Sequence, residues 1–295
     1  MSITKEPIGE NDVRDDSKVN ENETTGLNST FSINEIDPNL LLIHMLLGDV
    51  DMNIERGYYF IAQNELNEVK IRIDETYQKL GNDKNHNFDI NGINQNIINP
   101  VVTITGQGMG EYSLTNLLID CDFYYGILLR HKSKYIEAIK LLSIVQEKRE
   151  QIFGLRHPKT SIVLGELSLL ETLKCNFRKA TELIDLAIDI NSKFFAIDHP
   201  NTLILLIIKA KTECCRGNFK ISFDMITETI KKSKLLFPIG HPIIADCFLI
   251  AAESTRCLSN PKSAHKYFDE AREIRLKFYP YQQQPHILTC EATVA

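Results

Sequence analysis

From residue 115 to residue 282 the apolar positions recur on two scales. Within each block they fall three and four apart, the spacing of one helical face, and the blocks form pairs that repeat every 42 residues. Aligning 115–156, 157–198, 199–240 and 241–282 brings Tyr135, Phe177, Phe219 and Pro261 into one column. Three positions on stand Ala138, Ala180, Ser222 and Ala264, and seven beyond those Val145, Ala187, Thr229 and Ala271. An aromatic with small residues three and ten positions later shares one helical face, where small side chains let two backbones approach closely. Each unit therefore predicts a helical hairpin. A fixed period of roughly 20–50 residues marks units that stack into one continuous core, a solenoid.

The punctuation agrees. His157-Pro158, His199-Pro200 and His241-Pro242 keep the 42-residue register without slip. Proline in a first helical turn loses no hydrogen bond and arrives with φ set, so these prolines begin first helices. Asn260-Pro261 opens one second helix, Asn176 and Asn218 sit in the matching turns, and Gly217 ends a first helix. Pro238 and Pro280 stop second helices. Helices are expected at about 116–131, 134–153, 158–174, 177–195, 200–216, 219–237, 242–258 and 261–279.

The pattern resembles the tetratricopeptide repeat, in the 42-residue form of kinesin light chains, across residues 115–282. The junction Phe153-Gly154-Leu155-Arg156-His157-Pro158 carries the resemblance, with the turns Asn176-Phe177-Arg178-Lys179-Ala180 and Gly217-Asn218-Phe219. It implies an all-α, right-handed superhelical solenoid whose first helices line a concave groove that holds a protein or peptide partner. It also implies a kinesin heavy chain as one candidate partner. A light chain reaches that partner through a heptad coiled coil, and residues 53–80 carry no sustained a/d seam. In relatives an asparagine eight positions after the histidine column holds the bound peptide. Here that column reads Phe123, Gly165, Ile207 and Leu249.

Outside the repeats the organisation changes. Residues 1–36 are rich in Asn, Asp, Glu, Ser and Thr and predict a disordered tail. Residues 37–81 predict a helical hairpin or degenerate capping repeat, since Tyr59-x-x-Ala62 echoes the aromatic–small pair. Residues 82–114 read as an Asn/Gly-rich linker, and its Gly106-Gln107-Gly108-Met109-Gly110 lacks the Lys-Ser/Thr of a phosphate loop. Residues 283–295 read as the start of a further, incomplete repeat, as in a chain cut from a longer product.

The formal charge of −6 argues against nucleic acid, because phosphate binding needs a basic face. No apolar run has the length of a membrane span, and the first residues carry no apolar signal region, so a cytoplasmic protein without membrane insertion is expected. Seven cysteines without C-x-x-C spacing fit a reducing compartment, with Cys215 and Cys257 expected to pack as small apolar residues.

No catalytic, cofactor-binding or metal site is expected. Ligands of one zinc lie about 2 Å from the ion, whereas equivalent histidines in successive repeats are a whole hairpin apart. The function expected is a non-enzymatic scaffold or adaptor, with a kinesin-light-chain-like cargo adaptor as the narrower form. Its groove residues are expected to be Phe123, Ile127, Arg130, Leu169, Ile207, Lys211, Leu249, Glu253 and Arg256. The alternatives are a structural subunit that self-associates, or the repeat fragment of a larger protein with a catalytic domain elsewhere.

Overall fold

The computed structural model describes residues 38–79, 114–237 and 240–278; within these the chain forms ten α-helices and no strand. They are α1 (Pro38–Glu55), α2 (Tyr59–Lys79), α3 (Leu114–His131), α4 (Tyr135–Phe153) and α5 (Pro158–Leu173), followed by α6 (Phe177–Ser192), α7 (Pro200–Arg216), α8 (Phe219–Leu236), α9 (Pro242–Cys257) and α10 (Pro261–Phe278). The tail 1–36, residues 82–113 of the linker, Pro238, Pro280 and the segment 283–295 lie outside the described residues.

Each first helix is reversed into its second by one residue in the left-handed region: Gly57, Ser133, Cys175, Gly217 and Ser259, with φ of 76°, 60°, 61°, 95° and 61°. Glycine takes this conformation without a steric penalty, and the three other residues accept it because the hydrogen bonding around them is the same in every hairpin. The amide that follows this left-handed residue reaches back five residues: Tyr58 N to Asn53 O, Lys134 to Leu129, Asn176 to Glu171, Asn218 to Glu213 and Asn260 to Thr255, all 2.8–3.0 Å. Asn176 and Asn218 lie in the turns before α6 and α8, as expected, and their side chains make no cap hydrogen bond to those helices. They donate Nδ2 to Glu171 and Glu213 at 3.2 and 2.6 Å, tying the turn to the helix just ended. Asn260 does cap, accepting from Ser263 N at 3.2 Å.

At the junctions between hairpins the histidines are N-caps. Nδ1 of His157, His199 and His241 accepts from the amide two residues on at 3.1, 3.2 and 3.3 Å. Four residues earlier stand Phe153, Phe195 and Phe237, each against its imidazole with ring centroids 4.7, 3.9 and 4.7 Å apart. The ring closes the corner on one side while Nδ1 satisfies an orphan amide on the other.

Inside each hairpin two columns of small residues meet. Ala138, Ala180, Ser222 and Ala264 are all buried, as is Ala62. Opposite them on the first helices lie Gly126, Ser168, Ala210 and Ala252. Backbone and side chain touch across this crossing: Ser168 Oγ donates to Ala180 O at 2.8 Å, and Ser222 Oγ to Ala210 O at 2.7 Å. A Cβ added at Gly126 would stand 2.6 Å from Leu142 Cδ2, so that hairpin closes onto the glycine itself.

The hairpins stack in chain order, each second helix on the next first helix. The α1–α2 pair joins the stack, sharing a core with α3 in which Leu66, Val69 and Ile73 meet Leu114, Leu117 and Cys121. Successive first helices touch one another from α1 to α9, while successive second helices make no comparable contact. First helices therefore form the tighter inner layer, and the stack curves around them.

Two expectations test these joints. Ala180→Leu should overpack the crossing and cost about 1–3 kcal/mol in denaturant unfolding. The caps need neutral imidazole, because Nδ1 must accept. Burial holds His241 below its ordinary 6.5, with Asp246 opposing. Its contribution is therefore fully present above pH 6.5 and lost as pH falls through the lowered value. His241→Asn keeps an acceptor that does not titrate, so thermal stability should fall less between pH 7 and 5 than in the parent.

Candidate interaction groove

On one face of the first helices, residues that remain half-buried or exposed fall in three columns, four and three positions apart. They run Asp120, Ile162, Ile204 and Asp246; then Tyr124 and Glu166; then Ile127, Leu169, Lys211 and Glu253. Asp51 and Glu55 of α1 continue this face. Electrostatic coupling shows how far the stack curls. Asp51 is influenced by Glu166, two first helices on, and Glu55 by Asp246 of the fifth hairpin. The first and last described hairpins face each other across the hollow.

The structure separates the expected groove residues. Ile127, Leu169, Lys211 and Glu253 face the hollow, half-buried. Arg130 stands beside them, its Nε donating to Glu166 at 2.9 Å. Phe123 and Ile207, each 8% exposed, belong to the cores between helices, with the Arg149 guanidinium 4.6 Å over the Phe123 ring. Leu249 packs against the core of Ala252, Ala264 and Phe268. Arg256 is exposed in the last turn of α9. Gly165 itself is closely approached: a Cβ there would meet Leu205 Cδ2 at 2.6 Å. A side chain at position 165 would have to displace the end of Leu205.

The inner face carries charge that the sequence reading did not select. Asp120 accepts from Arg149 at 2.8 Å and lies 3.5 Å from Lys159 Nζ. The same pairing returns three repeats later, where Asp246 accepts from Arg275. Both acids stand 29 residues before their arginines, a spacing visible in the sequence once the period is known. Asp51 and Glu55 lie one turn apart on α1, so they share one face. Their charges are held up by confinement. Burial raises Asp51, with help from Glu166. Glu55 is pushed up to about 6, first by burial, then by Asp51 and Asp246, against a lowering by Arg56. The Glu55 carboxyl reaches solvent, but protein surrounds it at longer range, as expected deep in a curved surface. Tyr124 is raised by burial and by Asp51 and Asp120. Tyr59 stacks on His131, with its hydroxyl 2.9 Å from Nδ1, at the edge of this face.

The thiols do not form a reactive set. Cys121 and Cys247 are buried and pushed up to about 12 by burial. Cys215 and Cys257 are exposed at the ends of α7 and α9 instead of packing in the helix layer. Among the described residues no three His, Cys, Asp or Glu side chains are grouped to hold a metal ion, and no helix is long and apolar enough to cross a membrane.

No protein-family model matches the chain, and no curated protein does so. Solved structures do. The Rap protein complexed with competence and sporulation factor superposes with a TM-score of 0.54 at 14% identity, over 87% of this chain and 70% of that one. BtubC (BKLC) from P. vanneervenii gives 0.51 at 10% identity, over 84% and 85%. A kinesin light chain structure of nearly identical TPR-like repeats from Podosopora anserina gives 0.45 at 14%, over 82% and 98%. Over its described residues the chain is a helical-hairpin solenoid, and it shares that fold with the first two of these structures.

Glu55 provides a test of the curved inner face. It takes up its proton at about 6 in the fold against an ordinary 4.5, so folding gains stability as pH falls from above 6 toward 4.5. Glu55→Gln should therefore raise the melting temperature at pH 7.5 and leave it nearly unchanged at pH 4.5. Equal effects at both pH values would place Glu55 outside a confined acidic surface.

Proposed function

We propose that this chain is a protein-interaction scaffold that holds a segment of a partner protein against the inner face of its first helices. The observation that carries the reading is the face itself. It runs through all five described hairpins, and its positions pair half-buried apolar side chains (Ile127, Leu169) with the carboxylates Asp51 and Glu55, and with Lys211 and Glu253. Protein interfaces combine such an apolar centre with a polar rim. Carboxylates held up by their neighbours are relieved when a cation arrives, which favours a partner segment with Lys or Arg opposite α1. Lys211 meets an acidic residue further along. The 42-residue form of the repeat makes a cargo adaptor the narrower version, with a kinesin heavy chain among the partners to be looked for.

The test uses tagged full-length chain as bait from its source cells, with quantitative mass spectrometry. Glu55→Lys and Lys211→Glu should each reduce the same captured protein by roughly tenfold or more, about 1.4 kcal/mol per decade, while helical circular dichroism stays unchanged. Capture that survives both reversals would contradict this face as the site.

A further inference from the structure

The turns inside the hairpins emerge along one edge of the stack, and the second residue of each second helix marks that edge. The column reads Phe60, Ile136, Arg178, Lys220 and Lys262, and every member is exposed. Phe60 is 78% and Ile136 66% exposed, and the side chains of Arg178 and Lys220 are 92% and 72% exposed. Exposed Ile221 stands beside Lys220. The first turn of a helix favours acids, because its free amides carry partial positive charge. Here α6, α8 and α10 have no acid in that turn and place a cation there instead, in a chain whose formal charge is −6. Helix stability therefore does not account for these cations. Packing within the stack does not account for Phe60 and Ile136 either. Glu182 and Asp224 pair with Arg178 and Lys220 at 3.2 and 2.9 Å, and Glu137 with Lys134 at 3.2 Å. Both partners in each pair are more than half exposed, so the pairs are weak and exchange easily for another anion.

We propose that this edge docks on a lipid surface bearing anionic headgroups, so that the solenoid lies on the bilayer without crossing it. Such a surface presents two layers, charged headgroups outside and the acyl boundary beneath, and it takes up cations and bulky apolar side chains set side by side. The row supplies both, with apolar tips in the first two hairpins and cations in the next three. A polyanion without an apolar layer would meet Arg178, Lys220 and Lys262 but leave Phe60, Ile136 and Ile221 in water. The tips also project from helix ends instead of lining a hollow, which suits a broad surface better than an extended peptide held in a groove. Successive tips are two helix spacings of about 8–10 Å apart, so contact requires a partner that is extended in the same plane.

Co-sedimentation of the full-length chain with vesicles tests this, using phosphatidylcholine alone and phosphatidylcholine with about 30% phosphatidylserine. Binding is expected to the anionic vesicles only, at about 0.1 M salt, and should fall steeply by about 0.5 M. Arg178→Gln combined with Lys220→Gln should weaken it roughly tenfold or more, with helical circular dichroism unchanged. Phe60→Ser should also weaken it while leaving its salt dependence in place. A chain that ignores anionic vesicles at low salt overturns the proposal. So does binding that survives the double neutralisation, or that is abolished instead by Phe194→Glu, an exposed position beyond the end of α6 on the opposite edge. Retention on immobilised poly-glutamate with neither vesicle bound would assign the edge to an acidic protein segment and overturn the lipid reading.

Discussion

The close crossing inside each hairpin is the constraint on which the rest depends. Ala138, Ala180, Ser222 and Ala264 face Gly126, Ser168, Ala210 and Ala252 across it, and serine hydroxyls reach the opposite backbone where a serine is present. Two helices that touch through such small side chains fix their separation and leave the larger side chains to point away, toward the next hairpin. Leu164, Ile184, Ile190 and Leu205 do this in the middle of the stack, forming the core that joins one hairpin to the next. A larger residue at the crossing would open the hairpin and tilt everything stacked on it.

The junctions turn that local geometry into a constant period. An imidazole capping the following helix, pressed by the phenylalanine four residues earlier, gives each corner the same shape. Equal corners place equivalent positions above one another. The acid–arginine pair of Asp120 and Arg149 can therefore recur as Asp246 and Arg275 without new design. Because first helices contact their successors and second helices do not, the period also sets a curvature. Curvature is what brings Glu55 under the influence of Asp246.

How much was legible in the sequence follows from the range of each interaction. The helices and their order were readable because His-Pro, the small columns and the turn residues act within one hairpin. Even there, the ties from Asn176 and Asn218 to Glu171 and Glu213 were not legible, since side-chain direction in a turn depends on the helix just completed. The inner face was less legible. Helical spacing places Phe123 and Ile207 near it, but a rotation of one residue about the axis decides between groove and core, and both fell into the core. Asp51, Glu55 and Asp246 were invisible as a group because they meet only after five hairpins have curled. The phenylalanine column at 153, 195 and 237 was in plain register and could have been found.

The claim that partners engage the inner face is tested most directly by a photo-reactive side chain at single positions. Leu169 lies on the inner face and Leu186 is an exposed position on α6, in the outer layer. With benzoyl-phenylalanine in place of each, irradiation of the full-length chain in source cells should give a defined protein adduct from 169 and none from 186. The same adduct from 186, with nothing from 169, would contradict the account and move recognition to the outer helices.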